Sequence, residues 1–579
     1  MKIPFRSGAL ACLVALILVP GLCSLGSAAE SEKNDVLLSV MKQEQQRAKA
    51  ELGKLDPAPY FISYSVYDQS SAMAVGSQGS LVSSVNARRR SADVIVRAGT
   101  PALDNTHEEN RVTGLNSGGL PLEDDRDAIA HVLWQLTSAE YRKAAQSFLN
   151  IKTTTQVNAK EEDTSPDFSQ ETPHTYADYK DRSLLPDQPT LEGMVRRFSA
   201  YLRKYDYVYS SSVVISAQRT QFHFVSTEGS SVVTTNAQIR VSIEAATRAD
   251  DGMELVRVET FQAEDLSHMP GETEIAARME KMAADLKALR TAPVAEPFDG
   301  PALLSGRASA VFFHEVLGHR LEGQRQRGEQ QGQTFTKKIN QLVLPQFLSV
   351  TDDPTLRQLN GQDLGGWYEY DDEGIPASRV EVIKDGVLKN FLMSRLPIAN
   401  FDKSNGHGRS QAGLMATGRQ GNLMVTSTHS IKDADLRQAL IDEIKKQGKP
   451  YGLYFEDIQG GFTLTLRSLP QAFQVLPVLV WRVYPDGRPD ELVRGVDIVG
   501  TPLAAMNRIL LTGDKVAVFN GICGAESGSV PVSASAPAML FSEIEVQKQA
   551  HSLNRPPILP PPGLETAAPA GASKTGGQQ

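Results

Sequence analysis

Apolar positions along this chain change their period several times, and each change marks an element. From about Asn34 to Leu52 they recur at helical spacing on an otherwise polar segment, which predicts an amphipathic helix. Tyr60-Phe61-Ile62-Ser63-Tyr64-Ser65-Val66 and Ala92-Asp93-Val94-Ile95-Val96-Arg97 then bring β-branched and aromatic residues in near alternation, the mark of strands. A long helix is expected from about Asp125 to Leu149, and a shorter one from Leu191 to Tyr205. Between them, polar and acid-rich Asn158 to Asp187 reads as an exposed connection. Val213 to Ser216, Gln221 to Val225 and Ser231 to Thr247 form a meander of alternating strands, turned at Glu228-Gly229. A charged helix, Glu272 to Leu289, precedes Pro293 to Pro301, where prolines mark a domain boundary.

Beyond that boundary the pattern is mostly β. The exception is a helix whose N-cap is Ser305 and whose apolar side chains Ala308, Val311, Phe312 and Val316 keep helical spacing. Val380 to Leu392 reads as a hairpin about Asp385-Gly386, and Val475 to Val499 as another about Pro485-Asp486-Gly487, with a helix from Ala434 to Lys446 between them. The fold expected is α+β: an N-terminal α/β domain with a mixed sheet and helices over residues 30–292, and a mostly antiparallel β domain over 293–548 that carries the Ser305 helix near its start. Residues 549–579, rich in Pro, Ala and Gly from Ser552 onward, hold too little apolar surface to pack and are expected to be disordered. No internal repeat is evident.

Composition narrows the class. Lys and Arg number 59 against 68 Asp and Glu, a net charge of −9, so nothing in the chain seeks nucleic acid. Its 579 residues suffice for two or three full cores. Residues 1–29 read as a secretory signal peptide: Lys2 and Arg6 start it, Ala9 to Leu22 form its apolar core, and Ser27-Ala28-Ala29 its cleavage site. That core is short of the roughly twenty residues that span a bilayer. The expectation is an exported protein, periplasmic or secreted, with no stable membrane anchor. Leu22 before Cys23 fits a lipoprotein cleavage site poorly. With Cys12 and Cys23 in the leader, Cys523 is the remaining cysteine, and no internal disulfide can form.

The chemistry concentrates in His314-Glu315-Val316-Leu317-Gly318-His319. A catalytic zinc ion takes three protein ligands and a water, whose proton a nearby carboxylate accepts. His314 and His319 can be ligands and Glu315 the base. Residues five apart on a regular helix are turned about 140° from each other, so both rings cannot easily share one ion. The helix must widen or end there, and a π-type turn eased by Gly318 would bring the rings together. A third ligand is offered by Cys523, flanked by Gly521 and Gly524. A free cysteine is most often a small buried hydrophobe, and it is the histidine pair that turns the reading toward a thiolate ligand.

Other polar residues carry less. His407 and Arg409, in the glycine-rich loop Asn405 to Arg409, could orient substrate or stabilise an oxyanion, or form a mobile basic loop. Asp371, Asp372 and Glu373 read as a solvated turn rather than a calcium cage. His107 reads as a loop residue; His131, in a helix, and His223, in a strand, read as structural.

The order of these motifs resembles a known family. His314-Glu315-x-x-Gly318-His319 with Leu321-Glu322-Gly323, then Asp371-Asp372-Glu373-Gly374-Ile375-Pro376, then Gly521-Ile522-Cys523-Gly524 with Ser529-Val530-Pro531-Val532, are similar to the TldD/PmbA metallopeptidases in their catalytic, TldD-like branch. The resemblance is strong from about Pro301 to Val546. It implies a zinc peptidase with His314, His319 and Cys523 as ligands and Glu315 as base. It implies peptide substrates, unfolded or small, bound in extended form along a sheet edge. It also implies a homodimer, or a heterodimer with a family paralogue, around an enclosed site. The alternative is a catalytically silent peptide-binding or assembly protein of the same fold.

Overall fold

The alternation at Tyr60 runs on far past Val66, giving a strand Pro59–Ser77 that turns directly into Ser80–Thr100. Gln78 and Gly79 form the turn with φ of 52° and 81°, the left-handed pair that suits a two-residue hairpin. No Asn-Gly or Asp-Gly announces it, so the sequence shows two short strands where there are two long ones. This computed structural model describes residues 35–107, 114–155, 163–179, 185–328, 331–469 and 472–549; the expected leader, and the expected tail beyond Gln549, lie outside the described residues.

In the first half these two strands join Ser210–Ser226, Ser231–Arg248 and Glu254–Ala263 in an antiparallel sheet, to which Thr175–Ala177 adds in parallel. The expected pieces at Val213 and Gln221 are one strand, and Glu254–Ala263 has no counterpart in the sequence reading. Helices Val36–Leu52 and Arg126–Thr155 cover one end of the sheet, burying Leu38, Met41, Ile129 and Leu133 against Ile62, Tyr64 and Val94. Helices Gln188–Tyr201 and Glu272–Thr291 cover the other end over Ala72, Ala74 and Val241. Ile62, Tyr64, Val66, Ala72 and Ala74 share one strand face, so both helix pairs lie side by side on it. The opposite face, with Phe61, Ser63 and Tyr67, meets Arg395, Leu414 and Ala416 of the second half across a cavity. Strand residues Phe61 to Asp68 are therefore buried on both sides.

The second half closes on itself. Strands Phe298–Leu304, Gly452–Thr463, Phe473–Val483, Val496–Gly500 and Gly528–Lys548 pair in a ring, because Phe298–Leu304 bonds both Gly452–Thr463 and Gly528–Lys548. The rest of the eleven-stranded sheet extends from this barrel through Asn422–Ser427 and Leu348–Asp352. The hairpin at Asp385-Gly386 is present, but its second strand is only Val387–Leu388, and Phe391 and Leu392 leave the ladder. Ile509–Ala525 and Gly528–Lys548 form a long hairpin that the prolines at 531 and 537 conceal in the sequence. Among the described residues no helix is long and apolar enough to cross a membrane.

Three expectations are corrected by burial. Within the supposedly exposed connection, residues 163–171 form a strap across the second half: Asp167, Phe168 and Ser169 are buried, Arg327 donates to the Pro166 carbonyl at 2.9 Å, and Arg395 to that of Ser169 at 2.6 Å. His107, read as loop, is buried and bonds Asp167 at 2.8 Å. The turn at Asp371 is not solvated either. Asp371 is 1% exposed and accepts the N–H groups of Glu373, Ile375 and Gly408. Burial pushes the Asp372 carboxyl up to about 6 and that of Glu373 up to about 7. Both segments are polar because their partners are buried polar groups elsewhere, which a local pattern does not reveal.

Candidate metal centre

The helix Gly306–Val316 positions the first histidine. Ser305 caps it, its hydroxyl accepting the Ala308 N–H at 3.1 Å. Every residue from Ala308 to Val316 is buried, so the helix is enclosed on all sides rather than along one stripe. Phe312 meets Phe313, Phe473 and Phe541 edge to face, with centroids 6.0, 5.6 and 5.4 Å away. Such packing fixes the helix direction, and with it His314.

The second histidine is not on that helix. The α-helix stops at Val316, Leu317 departs to φ −110° and ψ −52°, and Gly318–Leu321 forms a tighter 3₁₀ turn. The expected π-type widening is thus replaced by a break, which frees His319 from the helical phase that opposed a shared ion. The rings stand 5.1 Å apart, steeply tilted at 72°. Gly318 serves by its lack of a side chain: a Cβ there would lie 1.9 Å from Gln420 Oε1. Gln420 Nε2 in turn donates to the His314 carbonyl at 3.4 Å. A Cβ on Gly461 would likewise press on Glu315 Cγ at 3.0 Å, so the barrel wall is cut back to admit this carboxylate.

Cys523 arrives from the strand Ile509–Ala525. It is 4% exposed, and its Sγ lies 3.4 Å from His319 Nε2 although 204 residues separate the two. One ligand atom from each of His314, His319 and Cys523 falls within 4.8 Å of the others. Burial alone would push the thiol up, but His319 and His314 hold it well below its ordinary value. Burial likewise opposes charge on His319, yet Glu322 and Cys523 push it up to about 10. His314 is also raised, by Cys523 and Glu315 against burial. The cluster therefore demands positive charge around a buried thiolate.

A divalent ion meets that demand in place of the protons. The donor set, two imidazoles and a thiolate, is the kind zinc takes. His314 Nδ1 is buried and without a hydrogen-bond partner among the described residues, and His319 Nδ1 is taken by Glu322 at 3.1 Å, leaving its Nε2 toward the sulfur. His314, His319 and Cys523 would supply three ligands to such an ion, a number that leaves room for a water.

The sequence reading named those three residues and Glu315, but not the buried polar groups around them. Glu322 is fully enclosed, and despite burial Arg325 and His319 pull its carboxyl down to about 2. Its signal was the acid three residues after the second histidine. The two loop residues proposed for substrate contact are engaged otherwise. His407 is fully buried and bonds Asp352 at 3.3 Å and Asn405 at 3.0 Å. Arg409 donates to the carbonyls of Gln420 and Pro531, each at 2.8 Å, and lies over the Tyr368 ring. Both brace the packing behind the site, because the glycine-rich loop is folded inward rather than mobile.

Comparison with known proteins bears on the domain that holds these residues. Residues 299–548 match the family model described as the PmbA/TldA metallopeptidase C-terminal domain. A metalloprotease TldD homolog of Haemophilus influenzae is 28% identical over 251 residues, 42% of this chain and 48% of that protein. A metalloprotease of Archaeoglobus fulgidus is 28% identical over 239 residues, 41% of this chain and 51% of its own. A zinc metalloprotease TldD homolog of Saccharolobus solfataricus is 24% identical over 247 residues, 42% and 51% of the two chains. The matches thus span about half the length of these relatives. In fold, TldE from Thermococcus kodakarensis superimposes with a TM-score of 0.54 at 12% identity, covering 88% of this chain and 100% of that one.

These relatives correct the expected location. They include archaeal metalloproteases beside bacterial TldD homologs, company that speaks against a periplasmic or secreted protein, and the signal peptide read at residues 1–29 gains no support from them. What remains from the sequence is the motif order from His314 to Cys523, now met by a matching domain and a shared architecture, and it makes residues 299–548 similar to the C-terminal domain of the TldD/PmbA metallopeptidases.

Proposed function

We propose that the protein is a zinc-dependent peptidase of the TldD-like branch, acting on unfolded or small peptides. The observation that carries this reading is the convergence of two imidazoles and a buried thiolate, drawn from segments 204 residues apart, beside an acidic residue on the motif helix. His314, His319 and Cys523 would hold the ion. Bound there, zinc lowers the pKa of a water ligand to about 7 and polarises the scissile carbonyl.

The chain's own groups do the rest. Glu315, next to His314 and 8% exposed, accepts the proton of the attacking water and passes it to the leaving amine. Glu322 fixes the tautomer of His319 by accepting a hydrogen bond from its Nδ1–H, so that Nε2 is free to ligate. The enclosing barrel excludes bulk water, which strengthens the electrostatic effect of each charge. Substrate would lie extended along a strand edge, and assembly as a homodimer, or with a family paralogue, would complete the enclosure.

The test is a pair of assays on three variants. Glu315→Gln is expected to keep its zinc and lose cleavage of an unstructured peptide, whereas His314→Ala and Cys523→Ala lose the metal. Purified wild-type protein lacking stoichiometric zinc would end this reading.

A further inference from the structure

The histidines and the thiol reach the centre on different pieces of chain, one the motif helix and the turn after it, the other near the tip of the hairpin that turns between Ala525 and Gly528. A ligand triad assembled this way needs something to fix the gap between its parts. Arg419 spans that gap. It is fully buried; its Nη2 donates to the carbonyl of Cys523 itself at 2.7 Å, and its Nη1 to Ser527 Oγ at 2.8 Å and to the Gly528 carbonyl at 2.9 Å. On its other side, its Nε lies 3.5 Å from Glu322 Oε1, the oxygen that also meets His319 Nδ1 at 3.1 Å.

A second line runs parallel to it. Arg325 Nε donates to Glu322 Oε2 at 2.7 Å, and its Nη2 to Glu526 Oε2 at 2.8 Å, while Gln324 Nε2 reaches the other Glu526 oxygen at 2.9 Å. The main chain that carries Arg419 is itself held in place, since its backbone N–H donates to the His407 carbonyl at 2.9 Å. The planar fork matters here. It addresses three acceptors on the hairpin and a carboxylate on the turn at once, which a single ammonium cannot do.

We infer that Arg419 is a positioning residue of the metal centre: hydrogen-bonded to the Cys523 carbonyl and ion-paired at 3.5 Å with the Glu322 carboxylate, it sets the separation of the sulfur from His319. The inference rests on the zinc reading above. It assigns Arg419 no contact with substrate or metal. Its effect passes through Cys523 and, by way of Glu322, through His319. Outer residues of this kind are worth about ten- to a hundredfold in metal affinity.

The experiment compares the full-length wild type with Arg419→Gln, Arg419→Lys and Glu322→Gln. Zinc affinity is measured by chelator competition, and the cobalt(II)-substituted proteins by the thiolate-to-cobalt absorption band, which reports the sulfur directly. Circular dichroism checks folding. Arg419→Gln is expected to fold, bind zinc about ten- to a hundredfold more weakly, and show a weakened or displaced thiolate band, with Arg419→Lys restoring only part of each. A folded Arg419→Gln with wild-type affinity and band overturns the inference. Should Arg419→Gln not fold, Glu322→Gln decides: the same two losses support the linkage, and wild-type values for both overturn it. Wild type that binds neither zinc nor cobalt removes the zinc reading and this inference with it; wild type that binds both, beside unchanged variants, removes this inference alone.

Discussion

The motif helix and the thiol hairpin contribute to one centre by opposite routes. Gly306–Val316 and the turn after it are local: the cap, the apolar spacing and the two histidines are all written within fifteen or so residues, and the helix forms where that pattern says. Ile509–Ala525 and Gly528–Lys548 are long-range: Cys523 means little until the barrel closes and Arg419 seizes its carbonyl. The contrast teaches that a buried centre can pair one half that local physics specifies with another that topology alone delivers. Damage to the two should differ accordingly, in metal affinity on one side and global stability on the other.

The largest expected effect breaks the hairpin's side. Cys523→Ala should lower zinc affinity on the order of a thousandfold by chelator competition, since each ligand carries several kcal/mol of the total. Melting of the zinc-free protein should barely change, because the substitution removes only a small side chain. On the helix side, Phe312→Ala should destabilise the protein by about 3–5 kcal/mol in urea unfolding, because a fully enclosed ring and its three aromatic neighbours lose contact. Equal metal loss in both variants would erase the distinction.

A third region sharpens it through pH. The Asp372 carboxyl is raised from 3.8 to about 6, chiefly by burial, so folding favours its neutral form. Its contribution is fully present below pH 4 and is lost as pH rises toward 6, on the order of 2–3 kcal/mol over that span. Asp372→Asn should flatten that part of the stability profile in parallel urea titrations; an unchanged slope would show that the turn is solvated after all. Smallest is Ser305→Ala. Loss of the hydroxyl that accepts the Ala308 N–H should cost about 1 kcal/mol, read as a small fall in Tm with zinc affinity intact.

These differences explain what was legible beforehand. Helices with clear periodicity, such as Glu272–Thr291 and Gly306–Val316, lie close to where the sequence places them, and so does the Asp385-Gly386 turn. The hairpin at Gln78-Gly79 was hidden by unremarkable turn residues, and the one at Cys523 by prolines at 531 and 537 that a strand tolerates only locally. Asp167, Asp371 and Arg419 were misread or missed for a common reason. A polar residue inside a polar stretch looks solvated, and only its distant partner, Arg327 for Asp167 or Cys523 for Arg419, shows that it is buried. His407 and Arg409 went the other way, since a glycine-rich basic loop suggests mobility while this one packs inward.

The central claim is that the sulfur and the two imidazoles form one metal centre, and metal content tests it most directly. Wild type and Cys523→Ala, purified side by side under identical conditions, should give about one zinc per chain and a small fraction of that, respectively. Wild type without stoichiometric zinc, or a Cys523→Ala variant that retains the full complement, would contradict it.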